Sequence, residues 1–75
     1  MAIVEGFGKR LRATRMARGL SQGELARRLG LSRPHLSHAE SGTWGLTLTA
    51  LVAVCRELEI SADFLLGLGN GKDEP

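Results

Sequence analysis

Seventy-five residues, 43% of them apolar and 24% charged, make one folded domain, expected over residues 1–75, rather than a disordered tail or a disulfide scaffold. Residues 1–40 carry eight Lys and Arg against three Glu, and residues 41–75 two against five acids, so the basic half suits a polyanion partner or a set of solvated helix faces. Cys55 is alone, which excludes an intrachain disulfide, and with only two histidines no structural zinc site, metal or cofactor is expected.

The apolar residues recur at helical spacing and nowhere alternate for long, which predicts an all-α chain of five short helices. The first runs from about Glu5 to Ala17, with Phe7, Leu11 and Thr14 or Arg15 on one face and Gly19 closing it. The second opens on Ser21-Gln22-Gly23-Glu24, a Ser-x-x-Glu capping box, turns Leu25, Ala26 and Leu29 inward and stops at Gly30. Ser32 caps the third, with Arg33 and Pro34 in a first turn where a missing N–H costs little. That helix continues to about Glu40 and halts near Gly42. Thr47 caps the fourth, which carries Leu48, Leu51, Val54 or Cys55, and Leu58. Ser61 caps the fifth, Ala62–Leu66, which brings Phe64 and Leu65 onto the core. The core then spans about residues 5–67, and the glycine-rich, acidic stretch 68–75 reads as a flexible tail. No run approaches the roughly 18 apolar residues of a membrane span, and Met1–Val4 are too few for a signal peptide, so a cytoplasmic protein with no membrane partner is expected.

Gln22 to Ser41 forms one unit. Two helices of about eight residues joined by Gly30-Leu31-Ser32 must cross steeply, which requires a small residue at the crossing and a glycine at the turn. Ala26 and Gly30 fill those places, and Leu25, Leu29, Leu31, Leu36 and Ala39 are the inward positions. Arg33, Pro34, His35, Ser37 and His38 have little to bury, so the third helix shows a hydrogen-bonding face outward, as a major-groove reader must.

The stretch Gly19-Leu20-Ser21-Gln22-Gly23-Glu24-Leu25-Ala26-Arg27-Arg28-Leu29-Gly30-Leu31-Ser32 resembles the helix-turn-helix of phage-repressor and Cro-like (XRE-type) regulators. Glu40-Ser41-Gly42, then Leu48, Leu51, Leu58, Ile60-Ser61 and Phe64-Leu65, are similar to the later pattern of that family, so the resemblance covers about Phe7 to Gly67. It implies a compact five-helix, lambda-repressor-like domain that binds double-stranded DNA as a homodimer on a near-palindromic operator. It also implies roles. Arg33, Pro34 and His38 occupy the base-facing positions, with His35 as a neighbour. Gln22 and Ser32 would hold the DNA backbone, and Ser41, Gly42 and Thr43 would offer backbone N–H groups or a hydroxyl to phosphate. Arg15 and Glu40 match a pair that ties the first helix to the end of the third.

Two departures change what is expected. Pro34 stands where many relatives place a hydrogen-bonding side chain, and it has only an apolar contact to offer a thymine methyl. The loop Ser41–Leu46 holds no Lys or Arg, where relatives often carry basic residues, so its phosphate affinity should be modest, with Arg10, Arg12, Arg27 or Arg28 as candidates to compensate.

His35 and His38 are three apart, a spacing that can chelate a metal, but a third ligand is missing. Cys55, in an apolar run with no basic neighbour, reads as an inert buried thiol. Trp44, Leu46, Leu66 and Leu68 have no evident core duty and are candidates for a dimer interface, against local packing of loop and tail. No histidine is placed to activate a serine, and so small a bundle leaves little room for a substrate pocket, so no enzyme activity is expected. The expectation is a sequence-specific double-stranded-DNA-binding transcription regulator, a repressor acting as a homodimer, controlled through its concentration, an unidentified protein partner or another ligand of the assembly. The rival readings are an antitoxin or protein-interaction module with secondary DNA binding, and a zinc-dependent or nucleolytic enzyme.

Overall fold

Four short polar side chains decide where four helices begin. Ser21, Ser32, Thr47 and Ser61 hold extended backbone, and each side-chain oxygen accepts from the N–H three residues on, that of Glu24, His35, Ala50 and Phe64. The computed structural model describes residues 4–68, and the helices are α1 (Phe7–Ala17), α2 (Gln22–Leu29), α3 (Arg33–Ser41), α4 (Leu48–Leu58) and α5 (Ala62–Leu66). There is no strand among the described residues. None of these helices is long and apolar enough to cross a membrane.

Helix α1 departs from the expected start at Glu5. It begins at Phe7, because Gly6 takes a left-handed conformation (φ 79°) and no side chain caps it. Arg10 folds back instead: its Nη2 donates to the Glu5 carbonyl at 3.0 Å and its Nε to the Leu65 carbonyl at 2.9 Å, joining the start of α1 to the end of α5. A second arginine does similar work. Arg18 Nε donates to the Leu58 carbonyl at 2.8 Å, at the end of α4, where Glu59 is the one described non-glycine residue with a positive φ. The last carbonyls of a helix are short of donors, and both arginines supply them there.

The core is built from Phe7, Leu11, Leu25, Leu36, Val54, Leu58 and Leu65, with Ala26 and Ala39 where helices come close. Helices α1 and α2 both pack on α3, α4 packs on α2, and α5 packs on α1. Gly8 lies against the end of α3, where a methyl in its place would sit 2.7 Å from the Ala39 carbonyl oxygen and closer still to that of Glu40. Only glycine allows this approach.

Some apolar residues sit elsewhere than the spacing implied. Leu48 is 77% exposed, since the first residue of α4 points away from the bundle, and Ala50 is buried instead. Phe64 is half-buried and outside the core cluster. Leu46 and Leu66, expected to lack a core duty, pack against the core. Most of the stretch expected as a tail, residues 69–75, lies outside the described residues.

Candidate nucleic-acid interface

Helices α2 and α3 are held at their crossing by a tight turn. The Leu31 N–H donates to the Ala26 carbonyl at 2.9 Å, Gly30 takes the left-handed conformation (φ 72°), and Ser32 at once caps the next helix. The Ser21–Glu24 capping box is complete: the Glu24 N–H donates to Ser21 Oγ and the Ser21 N–H donates to Glu24 Oε1, both at 3.0 Å. The Ser21 N–H and hydroxyl, assisted by Arg28 and Arg27, hold the Glu24 carboxyl below the usual carboxylate range.

One face of α3 is anchored and the other is open. Leu36, Ala39 and Glu40 are buried, whereas Arg33, Pro34, Ser37 and His38 are exposed and His35 is half-buried. A helix fixed in this way presents its outer side chains as a rigid row.

The anchor includes a buried ion pair. Arg15 Nε donates to Glu40 Oε2 at 2.6 Å and Nη2 to Oε1 at 3.1 Å, while Nη1 donates to the Leu20 carbonyl at 2.7 Å. Gln22 Nε2 adds a third donor to Glu40 Oε1 at 3.0 Å. A buried carboxylate is tolerated only when its lone pairs are filled, and here Arg15 and Gln22 fill them. The expected Arg15–Glu40 pair is therefore present. Gln22, expected as a phosphate holder, is also committed inward by one amide N–H, which leaves its second N–H unassigned.

The end of α3 corrects another expectation. The N–H groups of Gly42, Thr43 and Trp44 turn back to close the helix: Gly42 donates to the Ala39 carbonyl at 3.3 Å, and Thr43 and Trp44 donate to that of His38 at 3.0 and 3.3 Å. They are not directed outward toward a phosphate. Ser41 Oγ also donates to the His38 carbonyl at 3.0 Å and lies 3.0 Å from Thr43 Oγ1, so the Ser41–Thr43 hydroxyl pair is the polar group this turn presents.

This closure brings Trp44 over α3, a contact that the sequence did not reveal. The indole centroid lies 4.3 Å from that of His38, at a 32° tilt, and 5.4 Å from that of His35, edge-on at 75°. Trp44 is half exposed and Leu68 is 72% exposed, while Leu46 and Leu66, the other two residues grouped with them, are partly buried. Exposed Leu48 and Val52 make a further apolar surface on α4.

Of the arginines considered for compensating the loop, Arg10 is spent on the Leu65 and Glu5 carbonyls and Arg28 lies 3.5 Å from Glu57. Arg12, Arg27, Arg33 and Lys9 make no ion pair among the described residues. Those residues contain no group of three or more His, Cys, Asp or Glu placed to hold a metal. Cys55 is half-buried, and burial pushes its thiol up, which keeps it neutral and a poor nucleophile.

Comparison with known proteins agrees with this geometry. Residues 7–65 match the family model of a helix-turn-helix domain. An uncharacterized HTH-type transcriptional regulator, y4dL of Sinorhizobium fredii, is 43% identical over 56 residues, 75% of this chain. The chain spans only 29% of that relative's length. Among solved structures, the restriction-modification controller protein C.AhdI of Aeromonas hydrophila is 35% identical with a TM-score of 0.76, over 83% of this chain and 94% of that one. The N-terminal DNA binding domain of SinR from Bacillus subtilis is 28% identical with a TM-score of 0.76, over 92% of this chain and 97% of that one.

Proposed function

This chain belongs to the helix-turn-helix domain family, among its Cro-like (XRE-type) members, and we propose that it is a sequence-specific, double-stranded-DNA-binding transcription regulator. In this reading it is a cytoplasmic, non-enzymatic repressor that docks as a homodimer on a near-palindromic operator. The observation that carries it is the asymmetry of α3: Leu36, Ala39 and Glu40 lock one face while Arg33, Pro34, Ser37 and His38 stand exposed along the other. Such a row fits the major groove, with Arg33 at the helix end that enters first. His35 and His38 follow it, and Pro34 offers apolar contact. The second amide N–H of Gln22, the Ser32 hydroxyl and the Thr43 hydroxyl supply neutral donors for phosphate, while Ser41 Oγ, which donates to the His38 carbonyl, braces Thr43. Arg12, Arg27 and Lys9, which make no ion pair among the described residues, are candidates for charged contacts.

The exposed apolar surface of Leu48 and Val52 favours one rival, a protein-interaction module with secondary DNA binding. Selection from random duplex DNA, followed by anisotropy titration at low and moderate salt, separates the two. The proposal expects one enriched motif bound more tightly than random duplex, with affinity falling as salt rises. A chain that enriches no motif and binds no duplex at low salt is not a DNA reader.

A further inference from the structure

Trp44 is the only tryptophan of the chain, and it lies neither in the core nor clear of the domain. Its backbone N–H is tied to the His38 carbonyl, so the residue is fixed to the last turn of the helix whose exposed face it flanks. Its indole covers a face of the His38 imidazole and meets the His35 ring edge-on. Face contact leaves ring nitrogens uncovered, and among the described residues neither imidazole makes a hydrogen bond through them. An exposed imidazole without such a brace samples several rotamers, and binding must then freeze one of them.

We propose that Trp44 is a positioning residue for base reading: by stacking on His38, with His35 as a side wall, it holds the His38 imidazole with its N–H edge toward the base pairs. An N–H held in that direction donates to a purine N7 or O6, and the ring is ordered before DNA arrives. The loop that carries Trp44 has no basic residue, so its contribution is to fix the donor of α3 rather than to attract phosphate. This inference rests on the DNA-binding reading above and adds a determinant of specificity to it. Ordering one such side chain in advance corresponds to roughly a 2- to 10-fold gain in affinity for the preferred site.

The test is selection from random duplex DNA by the full chain and by its Trp44→Ala, Trp44→Phe, Trp44→Leu and His38→Ala variants, with affinities measured on the enriched wild-type site. The expected result is that Trp44→Ala and His38→Ala lose preference at the same base position in each half-site, while preference at the other positions stays. Trp44→Ala should bind the wild-type site roughly 2- to 10-fold more weakly. Trp44→Phe keeps a ring to stack and should retain the preference. Should Trp44→Ala not melt cooperatively, Trp44→Leu takes its place, since it keeps apolar bulk but not the stack, and the same loss at one position is expected. Unchanged preference in the ringless variants, or an equal loss at every position, overturns the positioning role alone. A wild-type chain that enriches no duplex overturns the DNA-binding reading, and this inference with it.

Discussion

Arg15 grips Glu40 through two nitrogens, at 2.6 and 3.1 Å, across 25 residues of sequence, and the two side chains are only 9% and 3% exposed. The pair ties α1 to the last turns of α3, the element with the open face. Removing one partner strands a buried charge and should cost on the order of 3 kcal/mol, whereas removing both strands no charge and frees only the Gln22 amide and the Leu20 carbonyl. Urea denaturation of Arg15→Met, Glu40→Leu and the double variant should give a coupling energy of more than about 1 kcal/mol. A coupling near zero would show that the charges act independently.

Gly8 should tolerate no side chain. A methyl there runs into the Ala39 and Glu40 carbonyls, which are helix backbone and cannot swing aside. Gly8→Ala should lower stability by about 1–3 kcal/mol, as overpacking does, despite the better helix propensity of alanine. Gly23→Ala is the control, since the nearest atom to a methyl there is Ser21 Oγ at 3.9 Å, and it should leave stability the same or higher. Equal melting temperatures for Gly8→Ala and wild type would remove the argument from close approach.

The capping box predicts an acid-side loss of stability. Bonds from the Ser21 N–H and hydroxyl hold the Glu24 carboxyl below its unfolded value, so its contribution is fully present above the unfolded pKa. That contribution is lost as pH falls through the folded, depressed pKa. Glu24→Gln should therefore be less stable than wild type at pH 7, with the two converging as pH drops below the usual carboxylate range. A gap that stays constant with pH would assign the effect to the amide substitution and not to charge.

Reading and holding should separate by mutation. Arg33 is exposed in the first turn of α3 and its guanidinium suits guanine O6 and N7, so Arg33→Ala should cost about 1–3 kcal/mol per contacted base and relax one position in each half-site. Gln22→Ala should weaken good and poor sites alike. It should also cost some stability, because Glu40 loses a donor. Uniform weakening by both variants would make Arg33 a phosphate contact only.

Stoichiometry tests the homodimer. One reading helix buries too little for tight specific binding, and two related by a two-fold axis match half-sites about 34 Å apart. Sedimentation on the best selected site should show two protomers per duplex. Leu68→Glu, at a residue 72% exposed and outside the core, should weaken assembly without unfolding the domain. A strict one-to-one complex on that site would exclude the homodimer.

How far the sequence disclosed this arrangement follows from the range of the forces involved. The starts of α2 to α5 were legible because a serine or threonine cap acts within three residues, and Gly30 and Gly42 marked the ends of α2 and α3 equally locally. Arg15 and Glu40 were found through family resemblance, since nothing in their separation pairs them. The start of α1 carries no local cap to read, because Arg10 of its own first turn organises it through the Glu5 carbonyl and the distant Leu65 carbonyl. Gly8 against α3 and Trp44 against His38 depend on how a helix and a loop return in space, and no periodicity carries that. Leu48 has the right spacing but stands at the first position of its helix, where the stripe has not yet turned inward.

The arginines that cap α4 and α5 also shape how the protein would distribute itself over a genome. With Arg10, Arg15, Arg18 and Arg28 engaged within the fold, Lys9, Arg12, Arg27 and Arg33 are the basic residues of the first forty left without a partner among the described residues. With Arg33 assigned to the bases, phosphate contacts by Lys9, Arg12 and Arg27 would give a slope of affinity against salt of roughly −3 per protomer on a log–log scale. Bulk chromosomal DNA then retains such a protomer weakly. Most of the pool would exchange rapidly between incidental sites and free solution, and operator occupancy would track the amount of protein in the cell closely.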